Sequence, residues 1–71
     1  MSYGRIAKMI REVERRHTAF AVARLVMMTG IDFRAYDVST PDDESVLSRL
    51  RKVLPNVLSK SEIEELEAKI R

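Results

Sequence analysis

Apolar and polar residues alternate along this chain with a helical period almost throughout. On a helical wheel, Ile6, Met9, Ile10, Val13, Phe20 and Met27 share one arc, and Arg5, Lys8, Arg11, Arg15 and Arg16 occupy the opposite one. The pattern predicts a long first helix over residues 4–29. Within it, Ile6, Val13, Phe20 and Met27 recur at a strict seven-residue spacing, the seam expected of a self-associating helix. Beyond Thr18 the character changes. Val22, Leu25 and Val26 take over the side that was basic, so this half is apolar nearly all round and is expected to be buried on several sides. Gly30 is expected to end the helix in the left-handed conformation, with Ile31 completing a Schellman motif.

Residues 30–40 read as a connector. Asp32 is expected to cap a single turn holding Phe33 and Tyr36; the alternation of Ile31, Phe33 and Ala35 also suits a short extended piece, and the turn is preferred. The second helix is predicted over 41–54, with Thr40 as N-cap, Pro41 in the first helical position, and Asp42, Asp43 and Glu44 favourable to the N-terminal dipole. Val46, Leu47, Leu50, Val53 and Leu54 form its apolar face, and Pro55 stops it. The third helix is predicted over 60–71. Ser61 with Glu64 makes a capping box, and Ser59 with Glu62 offers the same box two residues earlier. Ile63, Leu66 and Ile70 are its buried stripe, with Val57 and Leu58 packing just before it.

These elements make an all-α fold in one domain spanning residues 1–71: three helices, or four if the long first helix breaks. Length presses on that choice. A 26-residue helix is about 39 Å long. A globule of this chain has a radius of gyration of about 11 Å and a diameter of about 30 Å. Either the helix breaks near His17 and Thr18, with Thr18 as a new N-cap, or another chain covers the overhang. The second is preferred, as a two-fold homodimer. With no cysteine, disulfides, thiolate metal sites and thiol nucleophiles are excluded, and a domain this small relies on helix packing or a partner for support.

Charge is segregated. Residues 1–31 carry net +4, residues 32–45 net −4 and residues 46–71 net +2. The longest apolar run, interrupted by Arg24, is about half of what a bilayer requires. No membrane partner is assigned, and the chain reads as cytoplasmic.

No catalytic, cofactor or metal site is assigned. His17, the single histidine, lies on the apolar arc between Val13 and Phe20 and reads as half-buried or interfacial rather than catalytic. Asp42, Asp43 and Glu44 are explained by a helix start. A calcium loop counted from Asp37 places Asp42 where glycine belongs. A helix-turn-helix reading fails on Val57 at the turn and on Glu62, Glu64, Glu65 and Glu67 along the would-be recognition helix. Arg24 stands out: within a segment expected to be buried, it needs an exit to water or a carboxylate, for which the acidic middle segment is the nearest candidate. Met9, Met27 and Met28 suit either a core or a malleable partner surface.

The leading functional reading is a non-enzymatic helical interaction module, regulatory or adaptor, that self-associates as a dimer through Ile6, Val13, Phe20 and Met27 and takes a protein partner. Phe20 is expected at the centre of that assembly, with Phe20→Ala costing about 3–5 kcal/mol. The alternative is a nucleic-acid-binding regulator using Arg5, Lys8, Arg11, Arg15 and Arg16, with phosphate contacts that displace counterions. It is not favoured, because Glu12 and Glu14 partly neutralise this face and no aromatics interleave with it.

Overall fold

In the computed structural model, which describes residues 3–17 and 19–70, the long first helix is two. Helix α1 spans Arg5–Arg16 and α2 spans Ala19–Thr29. Between them His17 is extended (φ −133°, ψ 172°), while its N–H still closes the last turn of α1 on the Val13 carbonyl. This corrects the continuous helix over 4–29, and the reason is geometric. The longest dimension of the molecule is 28 Å, against about 39 Å for the unbroken helix. The break lets α2 pack against α1. Thr18, expected as the new N-cap, lies outside the described residues.

The break also changes which side of α2 is inside. On a continuous helix Val22 and Leu25 extend the basic face of α1. After the break they are buried at 1% and 0% exposure, and Phe20 and Met27 face outward. The overhang that called for a second chain does not arise, since the core closes within one chain.

The start of α1 is built from distant residues. Gly4, its N-cap, has φ +73° and no capping side chain. Its N–H donates to the Thr40 carbonyl, and the Arg5 N–H donates to Oδ1 of Asp42, both at 3.0 Å. Tyr3 and Pro41 form an isolated antiparallel bridge. A Cβ on Gly4 would lie 2.8 Å from the Val38 carbonyl oxygen, so both the positive φ and the close approach require glycine. Thr40, Pro41 and Asp42 are thus committed to α1. The expected start of the second helix at Thr40 and Pro41 is therefore corrected: α3 spans Glu44–Val53, with Asp43 as N-cap accepting from the Ser45 and Val46 N–H groups.

Gly30 ends α2 with φ +72°, but in the simpler left-handed motif rather than the Schellman one. Its N–H donates to the Val26 carbonyl, and the Ile31 N–H is taken by Oγ1 of Thr29. Asp32 caps a 3₁₀ turn at Phe33–Ala35, the preferred alternative for the connector. A second such turn at Leu54–Asn56 follows α3. Helix α4 spans Lys60–Ile70. Of its two candidate boxes it uses the earlier: Oγ of Ser59 accepts from the Glu62 N–H, and Oε1 of Glu62 accepts from the Ser59 N–H.

The described residues thus form an all-helical domain of four α-helices without a strand. Helix α1 packs against α2, α4 and the Phe33 turn, and α2 also packs against α3. Ile6, Met9, Ile10 and Val13 of α1 meet Val22 and Leu25 of α2, Phe33, Leu47, Leu50 and Leu54 of α3 and its following turn, and Leu66 of α4 in one core. The radius of gyration is 11.0 Å.

Candidate interaction face

Two of the residues on the seven-residue seam, Ile6 and Val13, are spent on the chain's own core, at 1% and 0% exposure. The other two, Phe20 and Met27, are 78% and 83% exposed. The break at His17 separates them, so the four do not form one surface. Phe20 is correspondingly not at the centre of the chain's core; Phe33, fully buried, is the aromatic there. The methionines divide the same way: Met9 is core, and Met27 and Met28 are exposed.

Two open concavities lie along α2, together its groove, the first walled on the far side by the turn after α3 and the second by α3 itself. One stretch is lined by Arg15, Arg16, Phe20, Arg24 and Val57. The next is lined by Met28, Arg49, Lys52 and Val53. Arg24 of the first and Met28 of the second are one turn apart on α2. No carboxylate lines either stretch. Arg15 and Arg16 are answered from elsewhere by Glu12, and Arg16 also by Glu65 at 2.7 Å. Arg24, Arg49 and Lys52 form no ion pair among the described residues. Arg24 is exposed, which corrects its placement in a buried segment. The cation that reaches the acidic middle is instead Arg5, 3.8 Å from Asp42 and 4.0 Å from Glu44.

The five cations of the predicted nucleic-acid face are unequally placed. Arg5, Arg15 and Arg16 are paired, whereas Lys8 and Arg11 are exposed with no ion pair among the described residues. Glu12 is the hub of this side. Its side chain, 15% exposed, accepts from Arg15, from Arg16 at 3.0 Å and from Lys69 of α4 at 3.2 Å. Hydrogen bonds from Arg15 and Arg16 hold its carboxyl down from an ordinary 4.5 to about 2.

His17 is half-buried, with Nε2 3.0 Å from Oε2 of Glu62. The Ser59 backbone N–H, then its hydroxyl, then His17 hold the Glu62 carboxyl below its usual range. Glu62 lies between Ser59 and His17, so the order is not that of a serine–histidine–carboxylate relay. Of the four glutamates that counted against a recognition helix, Glu62 faces His17, Glu65 faces Arg16 and Glu67 faces Arg51, tying α4 to α1 and α3. The middle carboxylates are similarly engaged. Asp37 accepts from Ser39 and Thr40, Asp42 from the start of α1, and Asp43 from the start of α3. Among the described residues no cluster of three or more metal-ligating side chains occurs, and no helix is long and apolar enough to cross a membrane.

Sequence reasoning missed Arg49 and Lys52 as companions of Arg24. They sit three residues apart on the polar side of α3, and only the packing of α3 against α2 brings them to the groove. It also missed Tyr3 and Val38, which are 51% and 53% exposed. Comparison with protein-family models, with curated proteins and with solved structures finds no match to this chain.

Proposed function

We propose that this chain is a non-enzymatic helical interaction module that self-associates and serves as an adaptor or regulator, with the outward side of α2 as its contact surface. The observation that carries this reading is the exposure of Phe20 and Met27, at 78% and 83%, on one side of a helix whose other side is core. Exposed large apolar residues gathered on one element mark contact surfaces more often than isolated ones do. Met27 and Met28 suit such a surface because thioether side chains adapt to a partner. Sedimentation equilibrium tests the reading: the parent associates at micromolar concentrations, and Phe20→Ser dissociates while its circular dichroism melt, taken at a dilution where the parent is also dissociated, stays at the parent midpoint. A parent that remains monomeric at high micromolar concentration removes it.

Lys8 and Arg11 keep the nucleic-acid alternative in view, since they are exposed cations without an ion pair among the described residues. On that reading an oligonucleotide binds at low salt, and Lys8→Ala and Arg11→Ala weaken binding similarly across sequences. A polarisation titration showing no binding at tens of micromolar removes it.

A further inference from the structure

The charges around α2 limit how two copies can meet there. In a two-fold contact the same patch meets itself. Here that sets Arg24, Arg49 and Lys52 against their own copies with no carboxylate in the groove to answer them, and like charges opposed across an interface disfavour it.

The molecule carries a second patch of the opposite sign. Tyr3 and Val38 are about half exposed, at 51% and 53%. The backbone holds them together: Tyr3 bridges to Pro41, the Gly4 N–H donates to Thr40, and the Val38 backbone abuts Gly4. Asp37, Asp43 and Glu44 are exposed on the same segment, where residues 32–45 hold five acids against the single cation Arg34. Arg5 of α1 answers Asp42 and Glu44, which leaves Asp37 and Asp43 without an ion pair among the described residues. Among the described residues, the exposed large apolar side chains are Tyr3, Phe20, Met27, Met28 and Val38. They therefore divide between a cationic face and an acidic one.

Resting on the self-association reading above, we propose that copies of this chain dock head to tail, the acidic Tyr3–Val38 face of one seated in the cationic α2 groove of the next. Phe20 and Met28 meet Tyr3 and Val38, and Arg24, Arg49 and Lys52 meet Asp37 and Asp43, with Glu44 shared with Arg5. Each copy then keeps one free groove and one free acidic face. Such contacts close into rings or propagate as filaments rather than stopping at a dimer.

Complementation tests it. Phe20→Asp spoils the groove and leaves the acidic face, and Val38→Asp does the reverse. By light scattering, the parent forms species larger than a dimer whose mass falls as salt rises from low to about 0.5 M, through Debye screening. Each variant alone is monomeric, with a melt like that of the parent diluted until it too is monomeric. The equimolar mixture returns to twice the monomer mass, because one intact groove meets one intact acidic face. If Val38→Asp lowers the melt, Tyr3→Ser takes its place. A parent that associates, loses association with Phe20→Asp and keeps it with both Val38→Asp and Tyr3→Ser overturns the head-to-tail arrangement and leaves self-association standing. A parent that stops at a dimer does the same. A parent monomeric at high micromolar concentration overturns both.

Discussion

Phe20 and Phe33 have exchanged the roles that spacing alone suggests. Phe20 occupies a heptad position in an apolar run, yet it is 78% exposed; Phe33, in a short connector, is fully buried. Phe33→Ala removes a ring from the core and is expected to destabilise the chain by about 3–5 kcal/mol through lost transfer energy and a cavity. Phe20→Ala, measured on the dilute chain, is expected to stay within about 0.5 kcal/mol of the parent, as for surface substitutions. Urea titrations of the two variants check this, and equal costs would mean that Phe20 is in the core after all. Exposure was not legible at these residues because the period of a helix says which residues share a side, not which side faces in. Arg24 makes the same point: its charge was visible, and its outlet to water depends on how α2 is rotated.

Helix ends show where local sequence suffices. Asp32 before Phe33 and Gly30 after Thr29 are caps whose parts lie within four residues of one another, and both were readable from the chain. For α4 the chain offered two boxes, with Ser61 and Glu64 put first, and the one that forms is Ser59 with Glu62. The start of α1 was not readable, because Thr40 and Asp42 supply its partners across more than thirty positions. Two glycine substitutions separate these cases. Both Gly4 and Gly30 have φ near +70°, at 73° and 72°, so alanine is strained at either by about 1–2 kcal/mol. At Gly30 a Cβ meets open space; at Gly4 it meets the Val38 backbone at 2.8 Å. Gly4→Ala should therefore lower the melting midpoint well beyond Gly30→Ala, and equal shifts would remove the claim of a close approach. At the start of α3, Asp43→Ala is expected to cost about 0.5–2 kcal/mol as a lost N-cap. A loss smaller than that in a urea titration would return the cap to an earlier residue.

Across the whole molecule, carboxylates tie elements together. Glu12 joins α1 to Lys69 of α4, Glu62 reaches His17, and Asp37 and Asp43 order the connector and the start of α3. All four carboxyls lie below their usual range, Glu12 at about 2 through its arginine hydrogen bonds, Glu62 and Asp37 through serine donors, and Asp43 through Ser45 and then backbone N–H groups. A carboxyl depressed in the folded state binds fewer protons there than in the unfolded chain. Its contribution is complete above the unfolded value and is lost as pH falls through the folded one. Thermal stability is therefore expected to begin falling near the ordinary carboxylate value of 4.5 and to continue falling toward 2, the lower end set by Glu12. Glu12→Gln should remove part of that fall. A melting midpoint unchanged from pH 5 to 2 would show that these contacts contribute nothing measurable, the outcome expected if solvent screens them fully.

The helical class, the apolar faces of the last two helices and the caps at Gly30 and Asp32 were determined by the sequence itself, because period and capping chemistry act over one or two turns. The local reading of Thr40 and Pro41 failed because Thr40 and Asp42 serve the start of α1. Length posed the right alternatives for the first 29 residues, a break or a partner, and the sequence reading preferred the partner over the break that the structure has. The tertiary structure chose the break, since burying Val22 and Leu25 against α1 and α3 completes one core within a 28 Å molecule. That choice turned Phe20 and Met27 outward and placed Arg24 at one concavity along α2 and Arg49 and Lys52 at the other. The packing that favours it is not local, because α1, α2 and α3 meet only when the helices pack.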